Sequence, residues 1–335
     1  MNNQISSLEF SHIPVMLNEV LKISSPSAEK KFIDCTFGGG GYSKKFLDSL
    51  TCVKAIDRDK KALSIAKQLK IKFPQQFDFY QTKFSQLDTV SKDFVDAVIF
   101  DLGLSSIQLD DLERGFSFKS DRKLNMTMGL NEITALEAVN NLSEKDLKLV
   151  IKILGDEKEA SKIARNIVKF RKIKKIISTS DLVEIIERSK RKNYLSKINP
   201  CTKTFQALRI FVNKETTELI KGMICATKKL KPGGKILVIS FHSLEDKIVK
   251  FFFSNFSQNK SRSSRYLPES KSSQNTLFKE YRNKALRPTK KEVEINKRSR
   301  SAKLRFAIRS NDKFKYPEEL IEKFKKYLDL EAINV

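Results

Sequence analysis

An α/β architecture, a doubly wound sheet interrupted by an all-helical insert, is what this sequence predicts, and three observations carry it. Short apolar runs ending in Asp34, Asp57 and Asp101 alternate with helix-patterned segments. Four glycines, Gly38 to Gly41, follow the first of these runs. Between about residues 110 and 205 the strand rhythm stops and only helical periodicity remains.

In chain order, Phe32 to Thr36 reads as a buried strand and Ser43 to Leu50 as a short helix. Val53 to Asp57 is the second strand, and Lys60 to Lys70 a helix with apolar Ala62, Ile65, Ala66 and Leu69. Asp78 to Thr82 is the third strand, and Val95 to Leu102 a fully buried fourth. The insert shows helical patterns at Ala135 to Val139, Glu144 to Leu154, Glu157 to Phe170 and Thr179 to Lys190. Thr216 to Leu230 is an amphipathic helix that stops at Lys231-Pro232-Gly233-Gly234. Lys235 to Ser240 is the fifth strand, Leu244 to Phe253 a helix, and Ser301 to Ile308 a last strand. Residues 257–280, rich in Ser, Lys and Asn, read as a loop. The expected domains are a core formed by 1–110 and 205–310, a helical insert at 111–204, and a tail at 311–335.

Composition narrows the function. A chain of 335 residues with 40% hydrophobic content can bury a core. No apolar run approaches the roughly 18 residues of a membrane helix. The start, MNNQISSLEFSHIPVML, lacks the basic and apolar regions of a secretory signal. Four scattered cysteines and two histidines offer no metal-ligand spacing, so no metal is expected. These features predict a reducing cytoplasm. The formal charge of +25 predicts a polyanionic partner, because the excess gathers at Lys162 to Lys192 and Lys279 to Arg309.

Glycines let a backbone turn tightly and approach a ligand. A carboxylate at the tip of the next strand, here Asp57, suits a ribose diol. Asp34, just before the turn, would repel a pyrophosphate and suits a cationic ligand such as S-adenosylmethionine. Asp101 ends the fourth strand and opens DLGLSSIQLDDLERGFSF, a polar loop where ligands bind in such sheets. His242 in SFHSLEDK is a candidate proton acceptor or a structural residue, and Ser243 with Asp246 resembles a helix-start capping box. His12 is expected to pack the N-terminal segment near the pocket.

The chain resembles the ribosomal-RNA small-subunit methyltransferase H family. The resemblance runs through HIPVMLNEVL at 12–21, DCTFGGGGYS at 34–43, AIDRD at 55–59, DLGLSSIQLDDLERGFSF at 101–118, TFQALRIFVNKE at 204–215, LKPGGKILVISFHSLEDKIVK at 230–250 and NKRSRSAKLR at 296–305. It implies a Rossmann-like class I fold and transfer of a methyl group from S-adenosylmethionine to the N4 amine of a cytidine in the decoding region of small-subunit (16S) ribosomal RNA. Its cofactor positions fall on Gly40, Gly41, Tyr42, Asp57, Phe84, Asp101 and Gln108. The Gly40 and Gly41 amides would approach the methionyl part, Asp57 the ribose, and Phe84 the adenine, with Asp101 and Gln108 at the methionine end. Asp101, or a carbonyl of the 102–106 turn, is the expected acceptor for the amine in catalysis. Arg298, Arg300, Lys303 and Arg305 are candidate RNA-phosphate contacts; if they flank a strand, about half would face the RNA. The expected partner is the ribosomal RNA or the small subunit, with no membrane; the oligomeric state stays open, a homodimer included.

The chain departs from the family pattern at Tyr42, where histidine is usual, and at Lys123, Asn125, Thr127, Asn199, Cys201 and Lys203 in the substrate-facing part. Two other readings use the same residues: a nucleotide-dependent dehydrogenase, and a nucleic-acid-binding module without turnover. Binding of S-adenosylhomocysteine tests the first, and methyl transfer to RNA tests the second.

Overall fold

The computed structural model describes residues 14–119, 121–190, 199–258 and 276–335. His12 lies outside the described residues. The chain forms two compact units. The first comprises Met1–Gln81, Leu87–Ser106 and Ala226–Lys315, and the second Thr82–Gln86, Ile107–Cys225 and Tyr316–Val335.

The first unit is built on a seven-stranded sheet. Its strands are β1 (Lys31–Asp34), β2 (Cys52–Asp57), β3 (Phe77–Gln81), β4 (Val95–Asp101), β5 (Leu230–Ser240), β6 (Phe278–Tyr281) and β7 (Lys303–Arg309). They lie in the order β3-β2-β1-β4-β5-β7-β6. β1 to β5 run parallel, while β7 runs antiparallel to both β5 and β6. Parallel strands are covered on both faces, which is why β4 is apolar throughout: Ala97, Val98, Ile99 and Phe100 are fully buried. The helix Gly41–Asp48 packs beside β1 through Phe46, edge-on to Phe32 with ring centres 5.0 Å apart. Strand order reverses between β1 and β4, so the carboxyl ends there flank a crevice, the usual ligand position of such sheets.

Three strands depart from expectation. β6 starts inside the stretch 257–280 read as a loop. Phe278 anchors it, fully buried and edge-on to Phe252 and Phe253. A strand this short among polar residues gives too little alternation to be read. β5 starts at Leu230, so the Pro-Gly-Gly stop belongs to the strand, and its pairing with β4 shifts between Val95 and Ala97. β7 starts at Lys303 because Lys297–Ser301 makes a 3₁₀ turn, capped by the Asn296 side chain accepting from the Arg298 amide.

The second unit is helical. Its helices include Ala135–Asn141, Glu144–Leu154, Ala160–Arg171, Thr179–Ser189, Thr202–Asn213 and Glu318–Glu331. Three of these starts carry side-chain caps: Thr134 and Ser178 form capping boxes with Glu137 and Asp181, and Ser143 accepts from the Asp146 amide. Residues 205–225, expected in the core, fall in this unit. The expected tail instead forms Glu318–Glu331, which buries Leu320, Phe324, Tyr327 and Leu330. Its Glu331 carboxylate accepts from the Thr216 and Thr217 amides at 2.8 Å each, satisfying the open N–H groups at the start of another helix. No helix among the described residues is long and apolar enough to cross a membrane.

Candidate active site

The first unit gathers Asp34, Asp57 and Asp101 around the backbone of residues 34–38. Asp57 Oδ2 accepts from the Gly38 amide at 2.7 Å, and its Oδ1 from the Asp59 amide at 2.8 Å. Asp34 accepts from the Thr36 amide at 3.2 Å and from the Ser43 hydroxyl at 2.7 Å. The Asp101 amide donates to the Thr36 hydroxyl at 2.7 Å, tying β4 to the turn after β1. Thr36 and Ser43 were not singled out in the sequence. Their signal is their position, one polar residue at each end of the glycine turn.

The glycines are required by space. Gly40 has φ 76°, and a Cβ there would lie 2.9 Å from the Phe37 ring. A Cβ on Gly41 would collide with Pro14. Tyr42 is buried, and its hydroxyl donates to the Val15 carbonyl. The Met16 amide donates to Glu292 at 2.6 Å. Residues 14–16 are therefore fastened beside the turn by an aromatic hydroxyl and a carboxylate.

The cluster is acidic, and the charge of Arg58 opposes the rise at Asp57. Asp34 is fully enclosed, while Asp57 and Asp101 keep part of their surface open. Burial pushes the Asp34 carboxyl up to about 6, against the bonds from Ser43 and Thr36 and with the Asp57 charge adding to the rise. Burial likewise pushes Asp57 up to about 6, against the Asp59 and Gly38 amides. Asp101 rises further, well above the carboxylate range, through burial and then the charges of Asp34 and Glu245; the nearby Tyr42 hydroxyl opposes this. Asp101 Oδ1 is enclosed and has no hydrogen-bond partner among the described residues. A Cβ on Gly39 would meet nothing within 4 Å, so open space adjoins the turn. A carboxylate oxygen without a partner, two further carboxyls of raised proton affinity and open space suit a ligand that brings positive charge and hydroxyls.

Two of the expected cofactor residues belong to the second unit. Phe84 opens the 3₁₀ turn Phe84–Gln86, whose Ser85 amide donates to Glu218 at 3.3 Å. Gln108 is buried, and its side-chain amide donates to the Met128 carbonyl at 3.3 Å. The departures of the substrate-facing part lie here too. Asn125 accepts from the Thr127 amide at 3.1 Å, and Lys203 donates to the Asp156 carbonyl at 2.6 Å. Asn199 accepts from the Cys201 amide at 2.8 Å, while burial pushes the Cys201 thiol up to about 11.

His242 is a helix cap. It is the N-cap of Ser243–Asn255, with Nδ1 accepting from the Glu245 amide at 3.4 Å and Glu245 accepting from the His242 amide at 3.2 Å. The capping box is thus His242 with Glu245, one residue before the expected Ser243 and Asp246. Nε2 lies 3.1 Å from Glu245 Oε1 but off hydrogen-bonding geometry.

The four candidate RNA contacts separate. Arg298 and Arg300 are exposed in the 3₁₀ turn. Arg305 is only 7% exposed and donates to Asp246, the Tyr281 hydroxyl and the Asn283 carbonyl at 2.7–2.8 Å. It is a structural residue, because a guanidinium with three internal partners has little left for a phosphate. Lys303 also pairs with Asp246, at 2.8 Å.

A profile of the MraW methylase family matches residues 9–310. The chain belongs to the MraW methylase family. The curated relatives it matches include the ribosomal RNA small subunit methyltransferase H of Bartonella grahamii, 45% identical over 89% of this chain and 90% of that protein. The protein of the same name from Rickettsia conorii is 45% identical over 89% of this chain and 97% of its own length. Likeness to solved structures is remote: an rRNA methylase from Streptococcus thermophilus aligns with a TM-score of 0.41 and 10% identity, over 90% of this chain and 99% of that one. As a MraW methylase the chain is an S-adenosylmethionine-dependent methyltransferase.

Proposed function

We propose that this methyltransferase modifies the N4 amine of a cytidine in the decoding region of small-subunit ribosomal RNA, and acts in the cytoplasm. The observation that carries the reading is the 45% identity, over nearly the whole of both chains, to proteins named as ribosomal RNA small subunit methyltransferases. The acidic cluster and the net charge of +25 support it independently, the first by suiting a cationic donor and the second a polyanionic acceptor. The 111–204 segment, with the helices of its unit, would contribute to RNA recognition.

Bound S-adenosylmethionine would supply an electrophilic methyl group on a sulfonium. Asp57 would hold the ribose hydroxyls while its two backbone bonds keep it rigid. The Gly40 and Gly41 turn, with Tyr42 behind it, would shape the methionyl end; for Phe84 and Gln108 the role in adenine and methionine binding rests on family likeness alone. A cytosine amine is a weak nucleophile because its lone pair is delocalised into the ring. Asp101 Oδ1, which has no internal partner, would accept an amine N–H and draw density onto nitrogen as the new bond forms. The cytidine must leave its stack to reach this position.

The test is transfer of a tritiated methyl group to undermethylated small subunits and, in parallel, to naked ribosomal RNA, with mass spectrometry locating the product. N4-methylcytidine at one decoding-region position is the expected result. Label on protein, on a ring carbon, or on no RNA at all would overturn the reading.

A further inference from the structure

The first unit has a second chemically distinctive place, at its β6–β7 edge. A cavity of about 500 Å³ opens there, lined by Arg282, Lys284, Arg287, Lys303 and Arg305 together with residues 283, 285 and 286. No carboxylate is among the described residues that line it. Its volume falls in the range of ligand pockets.

The wall is held in shape. Arg305 donates to the Tyr281 hydroxyl and the Asn283 carbonyl, which fixes the chain as it leaves β6. Leu286 and Leu304 exchange backbone hydrogen bonds of 2.9 and 3.0 Å, pinning the middle of the 282–289 segment to β7. Asp246 pairs with both Lys303 and Arg305 from outside the lining, offsetting one of their two charges, and their bonds, Arg305 first, hold its carboxyl below the ordinary range against the effect of burial. Arg282, Lys284 and Arg287 are exposed and have no hydrogen bond or ion pair among the described residues. Three uncompensated cations thus surround a pocket whose backbone is already ordered, and this suits phosphate oxygens, which arginine forks and lysine ammonium groups bind.

We propose that this edge pocket binds backbone phosphates of the RNA substrate, as an anchoring site separate from the acidic cluster. Arg282, Lys284 and Arg287 make the contacts, Lys303 adds field, and Arg305 is a positioning residue that holds the wall. The proposal rests on RNA being the substrate. Phosphate contacts fix register and carry no base identity, so the site would set affinity rather than the chemistry of transfer.

The experiment compares the wild type with an Arg282→Gln, Lys284→Gln, Arg287→Gln triple variant. A matched triple, Lys60→Gln, Lys67→Gln, Lys72→Gln, removes the same charge elsewhere on the first unit. Binding to a single-stranded small-subunit RNA fragment is measured by fluorescence anisotropy across a salt series. Methyl transfer kinetics, S-adenosylhomocysteine affinity and melting temperature are measured on all three proteins. The edge variant is expected to raise KM for RNA about tenfold or more, leaving kcat and S-adenosylhomocysteine affinity unchanged. Its log–log salt slope should shrink by about 2, at roughly 0.7 per lost phosphate contact. An unchanged slope and KM, or an equal loss in the matched triple, would overturn the proposal. The single variant Arg282→Gln repeats the comparison at about one third of the slope change. If the wild type methylates no RNA, the proposed function fails, while the anisotropy series still decides whether the pocket binds RNA phosphate.

Discussion

The acidic tips of β1, β2 and β4 and the basic edge at β6 and β7 belong to one sheet yet treat charge in opposite ways. At the tips, carboxyls crowd together: the Asp57 charge raises the proton affinity of Asp34, and the Asp34 charge that of Asp101. At the edge the Asp246 carboxylate sits between two cations and stays readily ionised. The difference separates a charge imbalance that a ligand can cure from one already cured inside the fold. Buried charges left unpaired are costly, so they persist where something binds. Paired ones are architecture, and the uncompensated cations beyond them are the ones to examine.

Removing Asp101 tests that contrast most severely. Asp101→Ala should slow methyl transfer at least about 100-fold, measured in single turnover with saturating cofactor, whereas Asp246→Asn should mainly lower the melting temperature. Equal behaviour of the two variants would erase the distinction. Asp57→Ala comes next: loss of a charged acceptor for hydroxyl groups costs about 1.5–3 kcal/mol, and calorimetry should find S-adenosylhomocysteine bound at least tenfold more weakly.

Proton linkage gives a smaller and more particular signal. Burial pushes the Asp34 and Asp57 carboxyls up to about 6, and a cationic ligand favours their ionised forms. Affinity for S-adenosylmethionine should therefore rise from pH 5 to about 7, by up to tenfold per unit, and level off above; a flat profile would break the account. The same raised values act on stability in the reverse sense. Their stabilising contribution is complete below about pH 4, where both states are protonated, and is lost as pH rises through about 6. Asp34→Asn should thus melt higher relative to the wild type at pH 8 than at pH 5. Smallest is Tyr42→Phe, which removes the bond to the Val15 carbonyl. It should cost about 1 kcal/mol, read as a modest fall in melting temperature.

The sheet was largely legible because its parallel strands are apolar runs with acids at their ends, and Asp34, Asp57 and Asp101 could be aligned from that pattern alone. What escaped depended on partners far away in sequence. Arg305 read as surface charge because Asp246 and Tyr281, its partners, lie 59 and 24 residues away. β6 escaped because only Phe278 carries its burial. Glu318–Glu331 did leave a trace, since Leu320, Phe324, Tyr327 and Leu330 recur at helical spacing. The roles of Phe84 and Gln108 came from family likeness; no local pattern assigns them.

The reversal of β7 has a consequence for how the enzyme meets two unlike molecules. Asp101 is in register with Ile239, and Ile239 with Leu304, across β4, β5 and β7. Running against its neighbours, β7 begins where they end, so Lys303 reaches the rim that carries the acids. Two strand spacings of about 4.8 Å put that row roughly 10 Å wide, slightly beyond the screening distance of about 8 Å in physiological salt. Attraction for a small cation and for a long polyanion can therefore meet on a single rim, about one screening length apart, because one strand points the wrong way.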